Sequence, residues 1–189
     1  MRYSWRRMRR LVVALSAVLV CAAGALAAPP VPVNGHFELT TLDGRDVTDK
    51  DYRGKWLLIY FGYTFCPDVC PTTLNQIGSA LDALGAKAKD FQPVFITVDP
   101  ARDKPQVMRD YMKSFDPRIV ALTGDPDNIE TAAKAFHVYY RPRSLGNGQY
   151  TVDHSSYIYV MNPEGRFVEL LTGDLPGHPL ADDLRKLVK

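Results

Sequence analysis

Apolar residues recur along the chain with two different periods, and the two periods predict strands and helices in alternation. Continuous apolar runs predict buried strands at 56–63, 93–98 and 119–122. Apolar residues at helical spacing predict helices at 74–88, 104–115, 125–136 and 180–187. The predicted inner stripe of the second helix contains Val107, Met108, Tyr111, Met112 and Phe115. The chain should therefore alternate between central strands and covering helices.

Two shorter segments predict β-hairpins on either side of this alternating region. The first hairpin spans 37–47 with its turn at 43–44, and the second spans 156–171 with its turn at 162–165. Residues 145–149 contain two glycines and are predicted to form a flexible turn. The order of these elements indicates a mixed α/β domain, in which helices flank a central sheet.

The first 28 residues have the features of an export segment. A basic start, an apolar run and the ending Ala25-Leu26-Ala27 are typical of a signal peptide. The apolar run is also long enough for an uncleaved membrane anchor. Both alternatives place the rest of the chain outside the cytoplasm, because the arginines stay on the inner side. The prolines of 29–34 predict an extended tether, so we expect one folded domain at 35–189.

Positive charge is concentrated in that leader. The formal net charge of the 189-residue chain is +2, but five of its 23 basic residues are arginines that precede the apolar run. The remaining 18 basic residues are outnumbered by 21 acidic ones, so the folded part is mildly acidic. This balance argues against nucleic-acid binding, since a phosphate backbone requires a basic face.

Two cysteines after the first predicted central strand carry the main chemical signal. Cys21 lies in the leader, so the exported domain retains Cys66 and Cys70, four positions apart. Four positions is about one helical turn, so thiols at a helix start would point to one side. The free N–H groups there would lower the pKa of Cys66. A bridge across so short a loop stabilises little, which favours redox chemistry or metal binding over a structural disulfide.

Two thiols of low pKa suit the soft ion Cu(I), and an imidazole would complete the site and also suit Cu(II). Among the histidines, His36 follows the tether, His137 ends a predicted helix, and His178 precedes the last predicted helix. His154 lies directly before a predicted buried strand, in a loop that could fold over the site. Asp153 beside it could orient a ligand or bind metal itself. The alternative for His154 is an ordinary hydrogen-bonded loop residue.

The cysteine pair lies between a central strand and its helix, which is similar to thioredoxin-like domains. The segment Tyr60–Pro71 resembles the signature of the Sco/SenC family, the copper chaperones of cytochrome c oxidase assembly. The segment Asp153–Tyr159 resembles the histidine segment of that family, and Thr97–Asp103 is also similar to family sequence. The resemblance covers the chain from about residue 35 to its end and implies a thioredoxin-like fold.

This resemblance also implies roles for particular residues. Cys66, Cys70 and His154 would bind copper, as Cu(I) and also as Cu(II), with Asp68 and Asp153 as auxiliary acidic residues. The copper would pass to the dinuclear copper site of a cytochrome c oxidase subunit, or the dithiol would reduce the cysteines of that subunit. Oxidation of the pair to a disulfide would prevent copper binding.

The resemblance further implies a periplasmic protein, usually tethered by one N-terminal membrane helix. Exchange of copper with another periplasmic copper carrier is a second expected partnership. The leader of this chain looks more like a cleavable signal than the typical anchor of the family.

Other functions stay open from the residues alone. The main alternative is an exported thiol–disulfide oxidoreductase without an essential metal, although that class usually has two residues between its cysteines and this chain has three. A peroxidase of related fold would have a threonine three positions before the reactive cysteine, whereas Thr64 is two positions before Cys66. A structural module with a disulfide is the remaining alternative.

Overall fold

The computed structural model describes residues 32–173 and 179–188. The strands in these ranges are β1 (Glu38–Thr41), β2 (Asp46–Thr48), β3 (Trp56–Gly62), β4 (Phe91–Thr97), β5 (Val120–Thr123), β6 (Tyr140–Gly146), β7 (Gln149–His154), β8 (Ile158–Met161) and β9 (Phe167–Leu171). The helices are α1 (Val69–Leu84), α2 (Pro105–Met112), α3 (Pro126–Ala135) and α4 (Leu180–Leu187). Every helix in the described ranges is too short or too polar to span a bilayer. The predicted leader at 1–28 and His178 lie outside these ranges.

The main sheet has the strand order β2-β1-β5-β4-β3-β8-β9. The pairs β3–β4 and β4–β5 are parallel, and the other neighbouring pairs are antiparallel. α1 packs against α4, α2 packs against β5, and α3 packs against β1. The predicted mixed sheet flanked by helices, with a hairpin at its N-terminal end, is therefore confirmed.

Burial explains the continuous apolar run of β3. The strand is buried from Leu57 to Gly62, because it lies inside the sheet and both of its faces are covered. α1 follows it and buries Cys70, Leu74 and Ile77, which are at most 1% exposed. The end of β3 and the start of α1 are therefore both fixed by the core, and so are the two ends of the loop between them.

α2 differs from the predicted helix in the residue at which it ends and in one residue of the predicted inner stripe. The helix ends at Met112 rather than at 115, because the N–H groups of Ser114 and Phe115 each bond a carbonyl three residues earlier. This tighter pattern closes the helix with a turn. Val107 is 38% exposed, since it lies about 100° around the helix from the fully buried Met108.

The hairpin of β6 and β7 is the largest departure from the predicted elements. The sequence pattern predicts only a turn at 145–149, whereas the structure pairs the strands on either side of it. β6 is exposed along nearly its whole length and contains Pro142, so it has no apolar alternation. The hairpin forms a two-stranded sheet of its own, separate from the main sheet. His154 is thus the last residue of a strand rather than a loop residue.

Gly62→Ala is expected to destabilise the protein by ~1–3 kcal/mol, because a Cβ at this position is forced against well-packed groups. It would lie 2.8 Å from Sγ of Cys70 and 2.9 Å from the ring of Phe95. Urea denaturation measures the free energy of unfolding. The control is Asn75→Ala on the exposed side of α1, which should change that free energy by less than about 0.5 kcal/mol. Equal stability of the two variants would contradict the close approach of β3 and α1 at Gly62.

Candidate metal centre

The cysteines lie at the carboxyl end of β3, where the chain turns into α1. Cys70 is in the first turn of α1 and is fully buried, whereas Cys66 precedes the helix by three residues and is 8% exposed. The expectation that both thiols lie on a helix start is therefore wrong for Cys66. Its side chain is brought to the same place by a turn, in which its N–H donates to the carbonyl of Tyr63 over 3.3 Å.

A buried carboxylate fixes this turn. Asp103 is fully buried and accepts the N–H of Thr64 at 3.0 Å and the hydroxyl of Thr64 at 2.6 Å. It also accepts the hydroxyl of Thr97, at the end of β4, at 2.6 Å. Burial raises the pKa of Asp103, although these donors oppose the shift. Asp103 therefore ties the cysteine loop to the neighbouring strand, a role for which the sequence offered only the resemblance of its Arg-Asp pair to family sequence.

His154 reaches the cysteines from the separate hairpin. Its Nε2 lies 3.3 Å from Sγ of Cys70. Its Nδ1 lies 2.8 Å from the carbonyl oxygen of Ser155. Because a carbonyl oxygen only accepts, Nδ1 carries a proton and donates it to Ser155, and Nε2 faces the sulfurs. The rings of Tyr60 and Tyr63 contact the imidazole edge-on and limit its movement.

The structure brings Cys66, Cys70 and His154 into one group. Their ligand atoms all lie within 4.8 Å of one another, and the two cysteines are buried. Two sulfurs are soft ligands and an imidazole nitrogen is a borderline one, and together they could hold a single metal ion. The same arrangement could also close a disulfide between the two thiols, which are both free here.

The two thiols are electrostatically unequal. The pKa of Cys66 is lowered to about 4, mainly by the hydrogen bond from Cys70, and further by His154 and by the N–H groups of Asp68 and Cys70. The pKa of Cys70 is raised, because its proton is shared with Cys66 and because the side chain is buried. Cys66 is therefore the thiolate of the pair and Cys70 is the proton donor to it.

The carboxylates of the two acidic candidates are not part of this group of three. Asp153 is adjacent to His154 in β7 and pairs with Arg143 at 3.2 Å on the exposed side of the hairpin. Asp68 is exposed at the residue before α1. Of the other histidines in the described ranges, His36 bonds Asp49 at 2.7 Å and His137 is exposed after α3. The geometry thus selects His154 among the described histidines.

A thioredoxin-like domain with two cysteines and a histidine at the carboxyl end of its sheet defines a class of metal-binding or redox proteins. The sequence model of the SCO1/SenC family matches residues 27–189. The chain belongs to this family.

Solved structures support the same assignment. Bradyrhizobium japonicum ScoI with copper bound is 43% identical, with a TM-score of 0.74 over 82% of this chain and 99% of that chain. Yeast Sco1 with copper bound is 40% identical, with a TM-score of 0.76 over 84% of this chain and 89% of that chain.

Among curated relatives, Protein sco1 of Schizosaccharomyces pombe is 42% identical over 79% of this chain and 58% of its own length. Protein SenC of Rhodobacter capsulatus is 39% identical over 80% of this chain and 69% of its own length. The chain spans about half the length of the first curated relatives that it matches.

The thiolate of Cys66 is expected to persist down to about pH 4 in the reduced protein, since its pKa is lowered to about that value. An ordinary thiol is protonated below about pH 8. Ultraviolet thiolate absorbance recorded against pH measures the difference. Cys70→Ala removes the largest cause of the shift and should raise the midpoint toward the ordinary range. Cys66→Ser is the control and should abolish the acidic titration; a titration that survives it would contradict the assignment.

Proposed function

We propose that this protein is a copper-binding chaperone that delivers copper to the dinuclear copper site of cytochrome c oxidase during its assembly. The observation that carries the proposal is the convergence of Cys66, Cys70 and His154, with ligand atoms within 4.8 Å of one another. Membership of the SCO1/SenC family supports it, as do the copper-bound structures of two relatives that are about 40% identical.

Each residue has a defined part in holding the cargo. Cys66 is already charged and offers its sulfur without first losing a proton. Cys70 must give up its proton to become a ligand, because metals bind the thiolate. His154 offers Nε2, while the bond from Nδ1 to the Ser155 carbonyl fixes its tautomer and orientation. Two thiolates suit Cu(I), and the imidazole extends the set to Cu(II).

The partners follow from this assignment. The acceptor is the copper-binding subunit of the oxidase, and the donor is another periplasmic copper carrier. The protein acts on the exported side of the membrane, either released from its leader or tethered by it. Asp68 is exposed close to Cys70 and is the better placed of the two acidic residues to meet a partner.

A second function is favoured by the unequal thiols. A thiolate with a pKa of about 4 beside a protonated partner is the arrangement of a thiol–disulfide reductase. The dithiol would reduce the cysteines of the oxidase subunit, becoming a disulfide as it transfers two electrons. If the protein reduces a model disulfide at oxidoreductase rates and copper does not inhibit it, this function replaces the chaperone proposal.

His154→Ala is expected to weaken copper binding by at least about tenfold, a loss of about 1.4 kcal/mol, because one of three ligands is removed. Competition with a Cu(I) chelator measures the affinity. The control is His137→Asn, at an exposed histidine whose φ of 55° an asparagine accepts. If both variants bind copper as the wild type does, His154 is not a ligand.

Cys66→Ser and Cys70→Ser are each expected to abolish tight Cu(I) binding, because a hydroxyl is a poor ligand for a soft ion. The same chelator competition measures this loss. Cys21→Ser is the matched control, since Cys21 precedes the folded domain in the sequence, and it should leave the affinity unchanged. Tight binding by either domain variant would favour the reductase function.

A further inference from the structure

Arg102 contacts both segments that carry the metal-centre residues, although it is itself outside the group of three. It follows β4, and its Nε donates to Oδ2 of Asp99 at 2.5 Å. Its side chain is 23% exposed and that of Asp99 is 5% exposed. The charge of the arginine is therefore paired within the domain and largely removed from solvent.

The first contact of Arg102 is with the strand that ends in His154. One terminal N–H group donates to the carbonyl of Tyr150 at 2.7 Å, and the guanidinium carbon lies 3.7 Å from the centre of the Tyr150 ring. The Tyr150 hydroxyl donates to Oδ1 of Asp99 at 2.8 Å. Asp99, Arg102 and Tyr150 thus bond one another in a closed cluster, which we call the Arg102 cluster.

The second contact is with the loop that carries Cys66. The guanidinium carbon of Arg102 lies 4.8 Å from the ring centre of Phe65, which directly precedes Cys66. It also lies 5.6 Å from the ring centre of Tyr63. Cation–π contacts at these distances are attractive, and more so where the cation is partly desolvated. Arg102 therefore lies between the cysteine loop and the histidine strand and contacts both.

β7 transmits the position of Tyr150 to His154. Alternate residues of a strand share a face, and on this face Tyr150 joins the Arg102 cluster, Val152 is buried and His154 faces Cys70. The hairpin has no ladder to the main sheet, and an isolated two-stranded hairpin is marginally stable. Apart from its short connection to β8 and the burial of Val152, its position depends on side-chain attachments. The Arg102 cluster is one of them, and the Tyr63 hydroxyl, bonded to Thr151, is another.

We propose that Arg102 is a positioning residue of the metal centre, which holds the strand of His154 against the loop of Cys66. This inference rests on the proposed copper function. Loss of Arg102 would change none of the three ligand residues. It would let the imidazole move away from the sulfurs. Loss of a group that directly hydrogen-bonds a ligand usually changes metal affinity by about 10- to 100-fold, and we expect the low end of that range for Arg102, which acts through Tyr150 and Phe65.

Arg102→Leu tests the proposal, because leucine keeps an apolar side chain, removes the charge and the donors, and adds no sulfur that could bind Cu(I). We expect at least about tenfold weaker copper binding by chelator competition. Arg141→Leu is the matched control, since Arg141 is an exposed arginine of the same hairpin, and it should change the affinity by less than about twofold. Equal affinities of the two variants overturn the proposal.

A double-mutant cycle separates positioning from general destabilisation. If Arg102 acts through His154, Arg102→Leu should change copper affinity by less than about twofold in the His154→Ala background. A full tenfold effect in that background overturns the proposal, because it assigns the loss to the fold or to the cysteines. Electron paramagnetic resonance of the Cu(II)-loaded Arg102→Leu variant should also show weaker nitrogen coupling than the wild type.

A second variant keeps the test usable if Arg102→Leu fails to fold. Tyr150→Phe removes only the hydroxyl that donates to Asp99 and leaves the ring against Arg102. It should weaken copper binding in the same direction by a smaller factor, and an unchanged affinity overturns the proposal. If instead the wild type binds no copper, or His154→Ala has no effect, the proposed function itself fails. If both behave as expected and only the Arg102 and Tyr150 variants match the wild type, the positioning role alone fails.

Discussion

The metal centre depends on one contact between residues 84 positions apart, in which Nε2 of His154 lies 3.3 Å from Sγ of Cys70. Cys70 can occupy this place because Gly62 beneath it has no side chain. His154 can face it because the carbonyl of Ser155 binds the other ring nitrogen. The fold itself therefore brings the three ligands together through contacts within the chain.

The hydrogen bond between Cys70 and Cys66 determines how the site would exchange protons for metal. Cys66 is a thiolate at neutral pH because Cys70 donates a hydrogen bond to it, and Cys70 stays protonated for the same reason. A metal held by both sulfurs must displace the proton of Cys70, so loading would release about one proton rather than two at neutral pH. Affinity would then rise with pH while Cys70 is protonated in the free protein. Cys66 alone is ready to make the first bond.

The sequence predicted those parts of the site that depend on local pattern. The buried run of β3 and the apolar face of α1 placed Cys66 and Cys70 at the end of a central strand. The hairpin that carries His154 could not be predicted from the sequence pattern, because its strand β6 is exposed and has no apolar alternation. His154 was therefore selected by the need for a third ligand and by family resemblance. Asp103 and Arg102 have no local signal for their roles, since each depends on tertiary contacts that spacing does not reveal.

The division of the ligands between the cysteine segment and the β6–β7 hairpin bears on how copper would be released under the proposed function. Cys66 and Cys70 belong to one segment, whose ends are fixed by the core, whereas His154 belongs to a hairpin outside the main sheet. Moving that hairpin breaks side-chain contacts at Tyr150 and Tyr63 and exposes Val152, but it breaks no ladder bonds of the main sheet. Displacing the imidazole therefore leaves the main sheet and the cysteine segment in place. A structural metal site anchors all of its ligands, whereas this arrangement leaves one ligand that a partner could replace first.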